Sequence, residues 1–417
     1  MKEDCFCSAS ADVGKEMIFT NVQIILADRI LTGMRLRVEC GILSALEVDE
    51  PGTLPANGKN VRVVDCEGMY LAPGFVDQHC HGGAGGPFMT NPRAATAYHL
   101  SHGTTSVMAT FCPLPTMAEM RDGVSAIADF YFSDDPLTAA VSGIHMEGPF
   151  LSPDFGASKE WSVAPDVETA LELQRLARGM RSIWSVAPEL SGCFEACRAL
   201  RTSGEKYLPR FLVGHSAASY EEIMALLPLG LGAATHCTNA TGYSIYPTRF
   251  GGTREFGVDD TVWLTDAISA EVIPDYYGMH VRPKMLELIL KIKGDERVII
   301  VTDCTIDCIG SANTVPDAVP AEFNTDQLDV RFNRLGLSGS QLTMDRAAAN
   351  MRRHTGASLV SIFRMAALNA ARFIGIDDTV GSIEVGKRAN LVLVDEDINL
   401  HGVWLDGHEV KRSDGCM

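Results

Sequence analysis

The sequence predicts an α/β protein: a (β/α)8 TIM barrel over residues 71–385 with a small β-sandwich domain formed by the two chain ends, 1–70 and 386–417. Three observations predict it. Eight apolar strand-like runs alternate with helical stretches through the middle of the chain. Residues able to carry chemistry stand where those runs stop. The two ends differ, with short alternating strands broken by turn residues.

The N-terminal strands are Met17–Leu26, Arg35–Cys40, Gly41–Leu46 and Val61–Val64, the later ones set apart by Pro51-Gly52 and Asn57-Gly58. The C-terminal segment repeats the pattern in Asn390–Val394 and Gly402–Leu405, which leads into Asp406-Gly407. Between them the eight runs are Tyr70–His79, Thr105–Phe111, Ala139–Met146, Ile183–Ala187, Phe211–Gly214, Gly232–Thr235, Ile268–Ile273 and Arg297–Thr302. Asp166–Met180 and Pro283–Lys293 have helical periodicity. A doubly wound open sheet is the alternative that the same alternation permits. No G-x-G-x-x-G or P-loop stands in the right context, so a nucleotide cofactor is unsupported.

The chain has 417 residues, 46% of them apolar and 21% charged, which suits a large barrel plus a small partner domain. Its net charge of −18 argues against nucleic acid or an anionic membrane as partner. An anionic substrate would have to be drawn in by local Arg and Lys. The 12 cysteines show no repeated spacing, Met1–Lys15 has no apolar leader core, and no apolar run approaches a membrane span. Reduced thiols in the cytoplasm are expected.

The candidate site begins at His79 and His81, which close the run Leu71-Ala72-Pro73-Gly74-Phe75-Val76-Asp77-Gln78 and precede Gly82-Gly83-Ala84-Gly85-Gly86. An i, i+2 pair puts both imidazoles on one face of a strand. The glycines let the backbone turn away beside them. Glu147 closes the third run, His215 the fifth, His236 the sixth and Asp303 the eighth. In a parallel barrel these ends meet at one face. Several imidazoles with carboxylates form a mixed nitrogen and oxygen donor set for a divalent ion such as Zn²⁺ or Fe²⁺.

Singly each has a plain alternative. Glu147 or Asp303 could cap a helix, and His215 could bond a loop carbonyl. Six such residues at strand ends together point to a metal site. His145, two residues before Glu147, is either a support behind the site or a packed core histidine. His99, His102, His354, His401 and His408 lie off the strand ends and are read as structural or solvated. A metal site with Asp303 across the mouth from Glu147, placed to take and return a proton, points to hydrolysis of an amide or related bond.

With these pieces in order, the chain resembles the amidohydrolase superfamily and, more narrowly, the N-acetylglucosamine-6-phosphate deacetylases. The matching motifs are Ala72-Pro73-Gly74-Phe75-Val76-Asp77 with His79-x-His81, His145-x-Glu147-Gly148-Pro149-Phe150, Gly214-His215-Ser216, Thr235-His236 with Asn239-Ala240, and Val301-Thr302-Asp303. Leu337-Ser338-Gly339-Ser340 and the run from Gly381 to Leu391 complete the set, so the resemblance spans roughly residues 17 to 410. It implies a metal-dependent enzyme, usually a homodimer, that removes acetate from an N-acetylated amino-sugar phosphate. Glu147, His215 and His236 would hold the main ion; His79 and His81 would allow a second, bridged by Glu147. Asp303 would be the general base and acid. His280 matches a substrate-contacting histidine, and Asn239, Ala240 and the loop of Leu337, Ser338 and Gly339 match positions that contact sugar or phosphate. The phosphate-binding arginine would be Arg254, with Arg249 its competitor.

Three departures fall in the substrate pocket. Gly156-Ala157-Ser158-Lys159 lacks the family's substrate-contacting His, Asn239-Ala240 is followed by Thr241 rather than Met, and 241–256 is unusual in length and aromatic content. None of the three lies in the metal site. A paralogue for another N-acyl amino sugar, such as N-acetylgalactosamine 6-phosphate, stays open. A deaminase or cyclic-amide hydrolase is disfavoured, because Glu147 stands where those relatives carry a bridging Lys. A non-catalytic scaffold is disfavoured by the retention of all six site residues.

Overall fold

The computed structural model describes residues 16–50, 52–53, 60–156, 159–241, 253, 256–306, 324, 327–333 and 336–411. Eight parallel strands follow one another in space as in sequence: Phe75–Cys80, Thr104–Phe111, Val141–Glu147, Ser182–Val186, Arg210–Val213, Leu231–Ala234, Ser269–Val272 and Val298–Ile300. Just beyond the last strand, Cys304 bridges Cys80 in parallel, and Asp303 N donates to His79 O at 2.8 Å. The sheet thereby closes into a barrel, with the first and last strand ends, and the histidines and aspartate they carry, held side by side. A principal helix follows each strand, for example Met117–Tyr131, Val167–Leu176, Pro283–Lys293 and Met344–Thr355. Helices cover the sheet, so most strand residues are buried and read as apolar runs. Helix starts follow the sequence: Thr116 with Glu119 and Ser219 with Glu222 form reciprocal caps, and Asp166 caps Val167–Leu176.

The second unit takes Glu16–Ile25, Ile30–Glu39, Ile42–Val48, Val61–Asp65 and Tyr70–Pro73 from the N-terminal side. Leu391–Val394, Leu400–Leu405 and His408–Glu409 join it from the C-terminal side. These hydrogen-bond as one sheet that curls until its far edge meets the chain again: Ile42 bridges Arg388, and Ala389 N donates to Gly41 O at 2.7 Å. The enclosed core centres on Phe19 set edge-on to Trp404 at 4.8 Å, with Ile24, Leu36, Leu71 and Leu391 around them. Arg388 ties this unit to the barrel, pairing with Asp406 and donating from Nη2 to Ala139 O at 3.0 Å.

One expected strand is corrected. The run Tyr70–His79 is two strands in two sheets. Tyr70–Pro73 pairs with Leu391–Val394 and with Gln23-Ile24, whereas Phe75–Cys80 is the first barrel strand. The switch falls at Gly74, whose N–H still bonds Asn390 O while the next N–H, of Phe75, bonds Gly103 O in the barrel. A Cβ on Gly74 would stand 2.2 Å from Thr105 Oγ1, so only glycine lets the two units meet this closely. Among the described residues no helix is long and apolar enough to cross a membrane.

Candidate metal centre and its surroundings

The strand ends bring six side chains together at one mouth. Glu147 lies at the centre. Its Oε1 is 3.1 Å from His215 Nε2 and 3.3 Å from His236 Nε2; its Oε2 is 2.9 Å from His81 Nε2. His79 Nε2 lies 3.4 Å from Glu147 Oε1 and 3.4 Å from Asp303 Oδ1, and His81 Nε2 lies 3.2 Å from Asp303 Oδ1. All six are buried. Their donor atoms form three overlapping triads: Glu147 with His215 and His236, Glu147 with His79 and His81, and His79 with His236 and Asp303.

The donor set fits a divalent cation. His215 Nε2 and His236 Nε2 face each other at 3.1 Å. His236 Nδ1 meets Asn239 O at 2.9 Å, and a carbonyl only accepts, so Nδ1 carries a hydrogen and Nε2 is the nitrogen turned to Glu147. His79 Nε2 is buried without a hydrogen-bond partner among the described residues. Ligands about 2.1 Å from a tetrahedral ion would lie roughly 3.4 Å from one another, near the 3.1–3.3 Å between Glu147, His215 and His236. The electrostatics agree. Burial works against a charge on His79, yet Glu147 and Asp303 outweigh it and push the imidazole up to about 10. A cavity that attracts protons this strongly attracts a cation by the same field. Burial would raise Glu147, but His79, His215 and His236 hold its carboxyl well below the usual range. Asp303 is also lowered, burial being outweighed by His79 and His81. Both are therefore carboxylates at neutral pH.

Behind the mouth stand residues that hold the first set in place. Glu271, on the seventh barrel strand and fully buried, accepts from Gln78 Nε2 at 2.7 Å and from His236 N at 3.2 Å, and faces His79 Nδ1 at 3.4 Å. Asp77 accepts from Thr302 Oγ1 at 2.6 Å and from His79 N at 3.1 Å, coupling the first and last strands. His145 packs edge-on against His79 at 4.6 Å and meets Ser185 Oγ at 2.8 Å. Burial, with His79 beside it, drives His145 well below its ordinary value, so it is a neutral support. Partners of this kind fix ring orientation and tautomer. The sequence signals for them were a Glu inside the otherwise apolar run Ile268–Ile273 and an Asp two residues before His79.

Three site residues hold left-handed backbone without being glycine: His236 at φ +27°, Ala240 at +56° and Asp303 at +47°. Such conformations cost on the order of 1–3 kcal/mol each and gather where a site is held in shape by its surroundings. Asn239 and Ala240 sit in the turn beside His236, where Ala240 O accepts from Ser216 N at 3.1 Å. Leu337, Ser338 and Gly339, expected as a loop, are corrected to part of the strand Gly336–Ser340, which pairs with Val330–Asn333. Ser340 N donates to Asp303 O at 2.8 Å, so this hairpin is laid against the last barrel strand end. A Cβ on Gly339 would stand 2.5 Å from that same carbonyl, which explains the glycine. His280 is buried and meets Asp275 Oδ2 through Nδ1 at 3.2 Å. His99, His102 and His354 have local structural partners, in Gly82 O, Asp345 and Asp275 O respectively. Arg254, Arg249 and the Ala157-Ser158 departure lie outside the described residues.

Comparison with known proteins agrees with this geometry. The model of the amidohydrolase family matches residues 278–410. The N-acetylglucosamine-6-phosphate deacetylase of Lysinibacillus sphaericus is 29% identical over 352 residues, 83% of this chain and 86% of its own. The N-acetylgalactosamine-6-phosphate deacetylase of Escherichia coli O157:H7 is 27% identical over 396 residues, 92% of this chain and 98% of its own. Among solved structures, the N-acetylglucosamine-6-phosphate deacetylase of Pasteurella multocida superposes with a TM-score of 0.77 at 27% identity, covering 94% of this chain and 99% of its own. Eight parallel strands closed around a buried His, Glu and Asp cluster, together with these likenesses over nearly the whole length, support a hydrolytic enzyme acting on amides that is similar to the N-acetylglucosamine-6-phosphate deacetylases and, over residues 278–410, to the amidohydrolase family.

Proposed function

We propose that this protein removes acetate from N-acetylglucosamine 6-phosphate in a metal-dependent hydrolysis. One observation carries the reading: Glu147 is shared by two imidazole pairs, with Asp303 3.2 Å from His81 across the mouth. Glu147, His215 and His236 hold the main ion, and His79 and His81 with Glu147 hold a second. Zn²⁺ and Fe²⁺ suit this mixed donor set best. The bound ion supplies Lewis acidity toward the scissile carbonyl and its water.

The chain's own groups do the rest. Asp303, ionised and buried, accepts a proton from the attacking water and returns it to the amine nitrogen as the C–N bond breaks. Glu271 and Asp77 keep His79 and its strand in register with Asp303. His280, Asn239, Ala240 and the Leu337, Ser338 and Gly339 strand bind the sugar phosphate, with Arg254 as its phosphate partner. The enzyme works in this reading as a cytoplasmic homodimer.

The N-acetylgalactosamine-6-phosphate deacetylase relative, 27% identical with 98% of its length covered, favours a second reading: the same reaction on the C4 epimer. The test is a panel of N-acetylated glucosamine and galactosamine, each with and without 6-phosphate, assayed for free amine under Zn²⁺, Fe²⁺ and Mn²⁺. Fastest release from N-acetylglucosamine 6-phosphate supports the first reading. Fastest release from the galactosamine ester replaces it with the second, and no amine from any of the four refutes both.

A further inference from the structure

Immediately past the seventh barrel strand, Ser269–Val272, a fully buried carboxylate gathers a whole turn of chain around itself. Asp275 Oδ1 accepts from Met279 N at 2.7 Å. Its Oδ2 accepts from His280 N at 2.7 Å and faces His280 Nδ1 at 3.2 Å. Its backbone oxygen is met by His354 Nε2 at 2.8 Å, from the helix Met344–Thr355. The neighbouring Tyr276 N is held by both oxygens of Asp329 at 2.9 Å, and the Tyr276 ring is covered by the Arg353 guanidinium at 3.7 Å. The turn is therefore pinned from several sides, and Asp275 is its hub.

The chemistry of the hub sets the state of the ring. Burial works against charge on Asp275, but His280 and the two backbone N–H groups outweigh it and hold the carboxyl below its usual range. An ionised carboxylate only accepts. His280 Nδ1 therefore bears a hydrogen toward Asp275, and Nε2 is the nitrogen left over. That Nε2 is buried and has no hydrogen-bond partner among the described residues. Leaving such an atom unpaired costs roughly 1–3 kcal/mol, which is recovered when a ligand group meets it.

We propose that Asp275 is a positioning residue for substrate binding: it orients His280, fixes the Nδ1–H form, and leaves Nε2 as the atom that meets the substrate. The inference rests on the substrate-binding role given to His280 under the proposed function. Asp275 acts through His280 and touches no reacting atom, so its effect falls on KM rather than kcat.

The test uses the full-length, Zn²⁺-loaded protein with ¹⁵N-labelled histidine, the His280 signals being assigned by their loss in His280→Asn. Wild type should show His280 with its hydrogen on Nδ1. Asp275→Asn keeps shape but trades one acceptor oxygen for a donor, so it cannot serve Met279 N on one side and both His280 groups on the other. In that variant the Nδ1–H signal should disappear. KM for N-acetylglucosamine 6-phosphate should rise at least about tenfold in Asp275→Asn and in His280→Asn, with kcat changed no more than about threefold. Zinc content should stay at the wild-type level. A wild-type His280 protonated on Nε2 instead overturns the proposal, and that spectrum decides even if the Asn variant fails to fold. Unchanged tautomer and KM in a folded Asp275→Asn overturn it as well. Wild-type KM in His280→Asn refutes the substrate role of His280, whatever tautomer Asp275→Asn shows. Absence of turnover on any amino sugar by wild type refutes the proposed function itself, a result the tautomer spectrum would not mimic.

Discussion

His215 Nε2 and His236 Nε2 point at each other across 3.1 Å, with Glu147 Oε1 3.1 and 3.3 Å from them. Two imidazole nitrogens and a carboxylate oxygen this close form a donor set that a shared cation would hold together. The second triad, of His79, His81 and the same Glu147, extends the pattern to a second ion. Metal analysis of purified protein should therefore find more than one ion per chain. The double variant His79→Ala and His81→Ala should keep one, whereas His215→Ala with His236→Ala should lose the main one and the activity with it. Equal loss from both doubles would reduce the two triads to a single site.

Asp303→Asn removes the proton carrier while keeping shape. We expect wild-type metal content and a fall in kcat of roughly 10²–10⁴. Metal loss measured alongside the rate would instead make Asp303 chiefly a ligand. Wild-type kcat would end its proton role.

Gly156 lies against His215. With φ at +83°, a Cβ there would stand 2.0 Å from His215 Nδ1 and 2.2 Å from Cε1. The ring cannot retreat without leaving Glu147. Gly156→Ala should weaken metal binding at least about tenfold, as displaced supports of metal ligands do. Competition with a chelator of known affinity measures this. Unchanged affinity would mean that the 152–156 segment moves freely off the ring.

Asp329 gives the chain a predictable pH response. Burial, followed by the nearby Asp275 charge, pushes its carboxyl up to about 6 against the donated hydrogen bonds of Tyr276 N and Asn350. The folded value lies above the unfolded 3.8, so between these values the folded chain holds more protons than the unfolded one. Its contribution to stability is complete below the unfolded value and is lost as pH rises through about 6. The difference is on the order of 2–3 kcal/mol at most. Thermal unfolding of wild type and Asp329→Asn at acidic and neutral pH should show wild type losing ground to the variant as pH rises. A constant gap between the two would show an unshifted carboxyl.

The eight barrel strands were legible because parallel strands under helices are buried on both faces and read as apolar runs, so each was found within a few residues. The six residues at the mouth were legible for a related reason: a parallel barrel sends all its strand ends to one face, and a polar side chain closing an apolar run marks that face. What escaped was whatever depends on contact between distant segments. Tyr70–Pro73 and Phe75–Cys80 read as one strand, because nothing local says that Gly74 must fit against Thr105. Leu337–Gly339 read as a loop, because Gly336, Ser338 and Gly339 break the apolar alternation and its seat on Asp303 joins segments far apart in the chain, although its pairing with Val330–Asn333 is local.

By itself, then, the sequence determined the order of strands and helices and which polar residues close the strand runs, since both follow from local periodicity and strand-end position; an open sheet stayed possible until the Cys80–Cys304 bridge closed the barrel. Only the tertiary structure decided that Glu147 stands between two imidazole pairs, that Glu271 and Asp77 hold His79 from behind, and that Asp275 leaves His280 one free nitrogen. Those relations are set by distances of about 3 Å between groups tens to hundreds of residues apart, or by a turn whose shape several distant contacts hold, and no local pattern encodes them.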